Sequence, residues 1–285
     1  MCKVSVIIPT YNRTVTLKMA IDSVLRQGVK DLNILIIDDS SDEECLAEIE
    51  QLALANDQIQ IIRNENNLGV AASRNKGLEW AKGEFVLFLD DDDILLSDML
   101  KLSLDAINEN HLDLVSCRSQ VVGNGLSFRK MQRYNLQQKG LLNVYELNSQ
   151  PMEHLFLYTP QIHTFLVRRT AIGGTRFPEN LNYGEDMMFW LTLVKKGLRC
   201  EKLNFVGSEY RLQKRSLTQE ADHYSKMRFY EDLLSQMEGN KVIQNLCFIK
   251  MTYTSVLARK LIFIKWMVKA FSQPILLFKH IRFYF

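Results

Sequence analysis

Short apolar runs alternate with segments of helical spacing through the first third of the chain, and this alternation limits the fold more than any other feature. Four runs predict buried strands, and they are Val4–Ile8, Ile34–Ile37, Ile59–Ile62 and Phe85–Leu89. Between them, apolar residues recur three or four positions apart, which is typical of helices packed on one face. Strands buried on both faces and joined by helices form parallel sheets. The pattern therefore predicts an α/β fold with a mostly parallel central sheet.

Three of these predicted strands end in polar loops, which are Thr10–Arg13, Asp38–Asp42 and Asp90–Asp93. Open α/β sheets bind their ligands at the carboxyl ends of the strands. The last loop carries four consecutive carboxylates, so it needs a compensating cation. One candidate is a divalent ion that holds a phosphorylated ligand, because Mg²⁺ and Mn²⁺ prefer hard oxygen ligands. The other is an ordinary loop or helix cap satisfied by hydrogen bonds, and the run alone does not decide between them.

Composition divides the chain into two electrostatic regions. Its 285 residues, 47% of them hydrophobic, suffice for a full buried core. Residues 1–238 carry a net charge of −6, whereas the remainder carries +8, because no Asp or Glu follows Glu238. The five cysteines are scattered without zinc-site spacing, and the first strand starts too early to leave room for a secretion signal. Both features predict a cytoplasmic protein with reduced thiols.

The carboxyl-terminal segment mixes basic and aromatic residues. Its apolar runs are too short for a membrane-spanning helix, which needs about 20 predominantly apolar residues. Residues 241–285 are therefore predicted to lie at an anionic membrane surface. A helical cap packed on the preceding domain, or an oligomer interface, is the alternative. Binding to nucleic acid is not expected, because no recognised reader motif accompanies the charge.

Five motifs occur in a specific order within residues 3–215. They are Val4–Asn12, Asp38–Asp42, Asn67–Phe85, Asp90–Asp93 and Gly184–Asp186. Each is weak alone, but together they resemble the family 2 glycosyltransferases, which are inverting, nucleotide-sugar-dependent enzymes of the GT-A fold.

The resemblance implies three regions in the chain. A Rossmann-like, nucleotide-sugar-binding half would cover residues 1–100, and the acceptor-binding and catalytic half of the same GT-A domain would cover residues 101–220. A helical, basic and aromatic extension would follow over residues 221–285.

At the nucleotide end, the resemblance assigns donor binding to the residues that follow the first strand, which are Pro9, Thr10, Tyr11 and Asn12. Tyr11 would stack on the base, although a loop tyrosine often only packs. Asp39 would accept a hydrogen bond from a uracil ring, and Asp38 would orient the loop or the ribose. The alternative is that Asp38, Asp39 or Ser40 caps the following helix.

At the diphosphate end, the resemblance places Asp90 and Asp92 in the two Asp positions of a D-x-D-type motif. Asp92 is the first candidate metal ligand and Asp90 the second. Asp91, also assigned to substrate binding, departs from the small or neutral spacer that is common there. Arg74, near a helix start, would bind the diphosphate or else form a surface ion pair.

A second carboxylate pair, Glu185 and Asp186, resembles the family's E-D motif. Glu185 would contact substrate and Asp186 would be the general base, because an inverting displacement needs a base opposite the departing diphosphate. A helix amino terminus that favours negative charge is the alternative explanation. Arg211 begins a segment that resembles the one closing over the diphosphate, in which Lys214 and Arg215 are further candidate clamps.

That segment departs from the family pattern at one position, because Gln213 stands where His is common and a neutral amide is a poorer metal ligand. His154 and His163 would contact the acceptor or serve the structure.

By resemblance, the chain is predicted to be a metal-dependent hexosyl- or N-acetylhexosaminyltransferase that uses Mn²⁺ or Mg²⁺. It would move sugar from a UDP-sugar to a saccharide, carried on lipid, of a lipopolysaccharide or capsule. It would act at the inner face of the membrane, with its oligomeric state left open. The alternatives are a sugar-1-phosphate nucleotidyltransferase and a non-catalytic nucleotide-binding scaffold. The sequence does not specify the sugar, the acceptor or the linkage.

Overall fold

A computed structural model of the protein describes residues 3–122, 147–158, 160–211 and 222–257. Its strands are β1 (Val4–Thr10), β2 (Leu32–Asp38), β3 (Ile59–Arg63), β4 (Phe85–Phe88), β5 (Ile94–Leu95), β6 (Leu114–Val122), β7 (Phe165–Arg168) and β8 (Cys200–Arg211). Its helices are α1 (Thr14–Leu25), α2 (Glu43–Leu54), α3 (Val70–Trp80), α4 (Met99–Glu109), α5 (Pro151–Tyr158), α6 (Arg169–Ile172), α7 (Glu185–Val194), α8 (His223–Gln236) and α9 (Lys241–Leu257), and a 3₁₀ turn, Ile162–Thr164, precedes β7.

The eight strands form one sheet in the order β3-β2-β1-β4-β7-β6-β8-β5. The first four of these positions are parallel, as the alternation of strands and helices predicts. In the other half, β7 runs antiparallel between β4 and β6, and β5 runs antiparallel to β8. The α/β fold with a mostly parallel sheet is therefore confirmed, and its mixed half begins where the regular alternation ends.

Two hydrophobic cores cover the two faces of the sheet. Successive side chains of a strand point to opposite faces, so Ile8 enters the core with α1, α2 and α4, whereas Ile7 enters the core with α3 and α7. The same alternation holds in β4, where Leu87 and Phe88 face opposite cores. Apolar side chains therefore fill both faces of the sheet around β1 and β4.

The carboxyl-terminal helices belong to the second core. Phe229 and Leu233 of α8 and Leu246 and Met251 of α9 are all buried there. Within the described part of the chain, the tail is therefore helical and packs against the sheet-containing domain, as the cap alternative predicts for residues 241–257. None of the helices in the described ranges is both long enough and apolar enough to cross a bilayer.

Three predicted features lie outside the described residues. They are most of the loop predicted between residues 121 and 150, the segment from Leu212 to Thr218 that includes Gln213, Lys214 and Arg215, and the last part of the basic tail, residues 258–285.

Candidate active site

The three polar loops meet at one edge of the sheet. Because β2, β1 and β4 are parallel neighbours, their carboxyl ends lie side by side. The Thr10 hydroxyl donates to Oδ2 of Asp91 at 2.8 Å, which joins the first loop to the acidic loop. The amide of Asn12 donates to the Ser41 hydroxyl at 2.9 Å, and Asn12 Oδ1 accepts from the amide of Asp42 at 2.9 Å. Thr10 and Asn12 therefore connect the first loop to the other two at this edge of the sheet.

Asp39 holds the turn that leads into α3. Its Oδ1 accepts from Asn64 Nδ2 at 2.7 Å and from the amide of Leu68 at 2.9 Å, and its Oδ2 accepts from the amide of Gly69 at 2.8 Å. The side chain is buried, and it links the second loop to the motif that starts at Asn67. Contact with a uracil ring stays a prediction for this residue.

Asp38 orients its own loop, which is one of the two roles predicted for it. It has no exposed surface, its Oδ1 accepts from the Ser41 amide at 3.2 Å, and its Oδ2 lies 3.3 Å from Arg63 Nη1. Helix α2 is capped instead by Asp42, whose Oδ1 accepts from the Cys45 amide at 2.9 Å. The alternative, that one of residues 38–40 caps this helix, is therefore wrong.

Tyr11 and Pro9 differ sharply in exposure. Tyr11 is 48% exposed at the edge of the sheet, so its ring has room for a partner. Pro9 is buried within β1. The substrate contact predicted for Pro9 stays a prediction, and its burial means that little of its side chain is available for that contact.

The acidic loop is compensated by side chains from two other parts of the chain. Arg13 Nη1 lies 3.3 Å from Asp91 Oδ1 and 3.1 Å from Asp92 Oδ2. Arg74 Nη2 lies 2.6 Å from Asp90 Oδ1. The sequence argument required a cation here but did not single out Arg13, although its position directly after Asn12 on a neighbouring strand end was the available signal.

Asp93 is the most enclosed member of the loop. Its Oδ2 lies 2.7 Å from Nδ1 of His163, and both side chains are almost fully buried. Its Oδ1 accepts from the backbone amide of Arg211 at 2.9 Å. The structural role anticipated for His163 fits this position, and no local motif signals the pairing, because the sheet brings residues 93, 163 and 211 together.

Uncompensated charge remains in the loop. Burial, followed by the charges of Asp90, Asp93 and Asp91, raises the pKa of Asp92 to about 7 against the opposing charge of Arg13. Burial also raises the pKa of Asp91 to about 6, although its hydrogen bond from Thr10 opposes the shift. The loop is therefore a site at which a further positive charge would be stabilised.

Arg74 joins this loop to Glu185, the residue before the predicted base. Its side chain is 4% exposed, and its Nη1 lies 3.0 Å from Oε1 of Glu185 while its Nη2 contacts Asp90. Burial by itself would lower the pKa of Arg74, but the charges of Asp90 and Glu185 outweigh it and hold the pKa above the ordinary value. A surface ion pair is the wrong description of this residue. Its contact with diphosphate stays a prediction.

Asp186 lies at the start of α7, next to Glu185. Its Oδ1 accepts from the amide of Met187 at 2.7 Å. Burial, and then the charge of Glu185, raise its pKa to about 7, whereas Arg74 acts in the opposite direction. A carboxylate with such a pKa accepts a proton readily near neutrality, which is the requirement for a general base.

A small cavity of about 20 Å³ lies beside Asp186 and is lined by Leu155, Pro160, Met187 and Trp190. This space is enough for about one water molecule. Arg211 contacts the acidic loop through its backbone amide, and its Nη1 is 3.5 Å from the sulfur of Met19. Its predicted contact with diphosphate is not tested by this arrangement.

Comparison with known families decides the identity of this arrangement. The family model described as "Glycosyl transferase family 2" matches residues 5–173. This chain belongs to glycosyltransferase family 2. The resemblance inferred from the five motifs is thereby confirmed.

Relatives of this family 2 glycosyltransferase are named for undecaprenol-linked acceptors or for teichuronic acid biosynthesis. A GalNAc(5)-diNAcBac-PP-undecaprenol beta-1,3-glucosyltransferase from Campylobacter jejuni is 30% identical over 248 residues, which cover 86% of this chain and 75% of the relative. The UDP-Glc:alpha-D-GlcNAc-diphosphoundecaprenol beta-1,3-glucosyltransferase WfgD from Escherichia coli is 26% identical, with coverage of 83% and 87%. TuaG of Bacillus subtilis, described as a putative teichuronic acid biosynthesis glycosyltransferase, is 28% identical, with coverage of 75% and 81%.

Solved structures confirm the GT-A fold of this family 2 glycosyltransferase. TarS 1–349 from S. aureus, in complex with UDP-GlcNAc, superposes with a TM-score of 0.64 at 20% identity, covering 88% of this chain and 71% of TarS. The mannosyltransferase PcManGT from Pyrobaculum calidifontis, in complex with GDP-Man and Mn²⁺, gives a TM-score of 0.59 at 16% identity, covering 99% and 73%.

Proposed function

We propose that this glycosyltransferase moves a sugar from a UDP-sugar to a lipid-linked saccharide, with inversion of configuration, during synthesis of a cell-surface polysaccharide. The observation that carries the proposal is the bridge formed by Arg74, because it joins the acidic loop at Asp90 to the turn at Glu185 and Asp186. A displacement with inversion needs the leaving-group site and the base on opposite sides of the reacting carbon. Two carboxylate loops held together across one guanidinium support that arrangement.

The names of the relatives support the choice of donor and acceptor. The Campylobacter jejuni and Escherichia coli enzymes are named for undecaprenol-linked acceptors, and the latter for a UDP-linked donor. TarS was crystallised with UDP-GlcNAc. A UDP-sugar and a saccharide on a polyprenyl lipid are therefore the substrates that we propose for this chain. We propose that the product is part of a lipopolysaccharide or of a capsule.

The residues of the chain would act as follows. Asp186 takes the proton of the acceptor hydroxyl as the oxygen attacks the anomeric carbon, and we assign that proton to Oδ2 because Oδ1 is held by the Met187 amide. Arg74 keeps the base and the acidic loop in register. Thr10 and Arg13 fix Asp91, so the loop keeps its shape when the diphosphate leaves.

The acidic loop fits a divalent cation. Asp92 and Asp90 offer hard carboxylate oxygens in a region of excess negative charge, and Mg²⁺ is bound by one or two carboxylates together with substrate phosphates. Within the described ranges, no three His, Cys, Asp or Glu side chains form a complete metal site. Diphosphate oxygens and water would therefore complete the shell. When bound, Mn²⁺ or Mg²⁺ would supply positive charge to the departing diphosphate.

The general base is tested by Asp186→Asn. We expect transfer to fall by about 10²–10⁴-fold, because a neutral amide cannot accept the proton, while donor affinity stays unchanged. Product formation is measured with purified lipid-linked acceptors and a panel of UDP-sugars, and UDP-sugar binding is measured by calorimetry. Asp113→Asn is the control, because Asp113 pairs with Arg199 away from the site.

Substantial residual transfer by Asp186→Asn would remove the base from the mechanism. If the wild-type chain binds UDP normally yet transfers nothing from any donor offered, it is a nucleotide-binding scaffold. Because the chain belongs to glycosyltransferase family 2, we do not propose the nucleotidyltransferase alternative.

We also propose that the protein works at the inner face of the membrane, with residues 258–285 contributing basic side chains to an anionic surface. Sedimentation with phosphatidylglycerol vesicles should retain the full chain and release a chain that ends at residue 257. Equal retention of both would contradict this location of the membrane contact.

A further inference from the structure

The turn that presents Asp186 depends on one glycine. Gly184 is the N-cap of α7 and has a φ of 75°, a left-handed conformation that side chains disfavour. A Cβ atom at this position would lie 2.7 Å from Cδ2 and Cε2 of the Phe229 ring. Glycine is therefore needed for two independent reasons, and the second is the contact with α8.

The ring of Phe229 is held firmly in place. It is fully buried, and it contacts Tyr183 edge-to-face with ring centres 5.6 Å apart. On its other side it contacts Tyr230 at 5.1 Å, and Tyr230 in turn contacts Phe156 of α5 at 6.3 Å. The ring is thus fixed between the turn and the second core.

Helix α8 contacts the same turn at a second point. The ammonium nitrogen of Lys226 lies 5.6 Å from the ring centre of Tyr183, the residue before Gly184. Two consecutive residues of the turn, Tyr183 and Gly184, are therefore in contact with one face of α8. Both the turn and α8 lie beyond residue 173, where the match to the family model ends.

We propose that Phe229 is a positioning residue for transfer, and that it fixes the location of Asp186 through its contacts with Gly184 and Tyr183. The inference rests on the proposed role of Asp186 as the base. Phe229 would not touch substrate. Its ring fills the space behind the turn, so the turn cannot move back when the acceptor hydroxyl approaches.

The consequence is a selective loss of the chemical step. A shift of about 1 Å in a reacting group can lower a rate by about 10²-fold. The loops that follow β1 and β2 are held by hydrogen bonds to the acidic loop and to the turn before α3, whereas Phe229 packs against the turn before α7. Removing the ring should therefore lower kcat and leave the KM for the donor unchanged.

The first experiment compares Phe229→Ala with Leu233→Ala in the full chain. Both residues are fully buried on α8, one helical turn apart, so both variants lose core packing. We expect kcat for Phe229→Ala to fall by about 10–100-fold with donor KM within about twofold of wild type. Leu233→Ala should keep kcat within about threefold, measured well below its melting temperature. Equal kcat losses in the two variants, at equal loss of melting temperature, would overturn the proposal.

The second experiment is a double-mutant cycle between Gly184→Ala and Phe229→Ala. The new methyl group collides with the ring, so removing the ring should relieve part of the damage, and the double variant should be more active than the product of the two single effects. Multiplicative effects would show that the contact does not couple the two residues, and would also overturn the proposal.

Asp186→Asn, assayed beside these variants, separates this inference from the proposed function. If that variant is inactive but Phe229→Ala behaves like Leu233→Ala, the positioning role fails and the base stands. If Asp186→Asn retains transfer, the base and its positioning residue both fail.

Discussion

Four carboxylates follow one another at Asp90–Asp93, yet each has a different environment. Asp90 contacts Arg74, Asp91 contacts Thr10 and Arg13, Asp92 contacts Arg13, and Asp93 contacts His163. Chemical identity alone therefore does not decide their roles. The differences arise from the neighbouring element that each side chain faces, which is α3 for Asp90, the loop after β1 for Asp91 and Asp92, and the 3₁₀ turn for Asp93.

The pKa of Asp186 predicts how the transfer rate depends on pH. The base works only when deprotonated, and its pKa is raised to about 7 by burial and by Glu185, so kcat should fall as the pH drops below this value. The slope should approach tenfold per pH unit. The measurement is kcat against pH at saturating substrates.

The same profile at two Mn²⁺ concentrations provides the control. The pKa of Asp92 is also about 7, and protons compete with a metal for a carboxylate, so added Mn²⁺ should move its titration to lower pH. The fall in kcat that is caused by protonation of Asp186 should remain at the same pH. A flat profile through pH 7 at saturating Mn²⁺ would contradict the assignment.

Arg74→Met should lower both stability and activity. Its removal leaves Asp90 and Glu185 facing each other without a cation. We expect a loss of about 3 kcal/mol in the free energy of unfolding, at the low end for a broken buried ion pair, because these side chains keep 35% and 17% exposure. Denaturant unfolding measures it.

Arg199→Met is the matched control for this variant. Arg199 pairs with Asp113 but its side chain is 61% exposed, so the loss should stay below about 1 kcal/mol. Similar losses in the two variants would show that the Arg74 bridge contributes no more than a surface pair.

At the scale of single elements, helix α3 lies closer to the sheet than a side chain would permit. A Cβ atom on Gly77 would be 2.4 Å from Cγ2 of Ile7, in β1. Arg74 lies one turn earlier on the same helix. The contact between Gly77 and Ile7, which sets the distance of α3 from the sheet, therefore also sets the position of Arg74 between the carboxylate loops. Glycine in this helix therefore serves packing, although it is a poor helix former.

Gly77→Ala should be destabilising, against the usual preference of helices for alanine. Overpacking of the contact with Ile7 should lower the free energy of unfolding by about 1–3 kcal/mol, and displacement of Arg74 should lower kcat as well. Thermal melting and transfer assays measure the two effects. Gly174→Ala is the control and should change little, because no atom lies within 4 Å of its added Cβ. A Gly77→Ala protein that is more stable than wild type would refute the close-packing argument.

At the scale of the whole molecule, the carboxyl-terminal helices form part of the second core. Phe88 of β4 contacts Phe189 and Trp190 of α7, and the same core includes Leu233 of α8. A core shared in this way predicts that α8 unfolds together with the sheet.

Leu233→Ala should therefore destabilise the entire protein. We expect a single calorimetric transition. The free energy of unfolding should fall by about 2–5 kcal/mol, as is usual when a buried leucine is replaced by alanine. Leu54→Ala on α2 should have little effect, because that side chain is 87% exposed. A separate low-temperature transition that alone responds to Leu233→Ala would show that α8 is an independent unit.

Part of this architecture could be predicted from local patterns. Apolar runs and helical spacing were sufficient for β1 to β4 and the helices between them, because each such element buries a face that its own sequence defines. The mixed half was harder, since β5 has only two residues, and the antiparallel pairing of β7 with β4 and β6 depends on strand order and not on any local pattern. The helix-cap alternative named Asp38, Asp39 or Ser40 and missed Asp42, because all four are equivalent as local cap signals.

The sequence by itself determined the α/β fold, the family and the carboxylates at the strand ends and the start of α7, because all of these follow from short-range patterns. Only the tertiary structure decided which of these residues contact each other. Arg74 and Glu185 are 111 residues apart, His163 and Asp93 are 70 apart, and Gly184 and Phe229 are 45 apart. Such pairs are set by strand order and by the packing of helices on the sheet. No local pattern encodes these pairs, because the sequence around each residue does not depend on which distant residue it contacts.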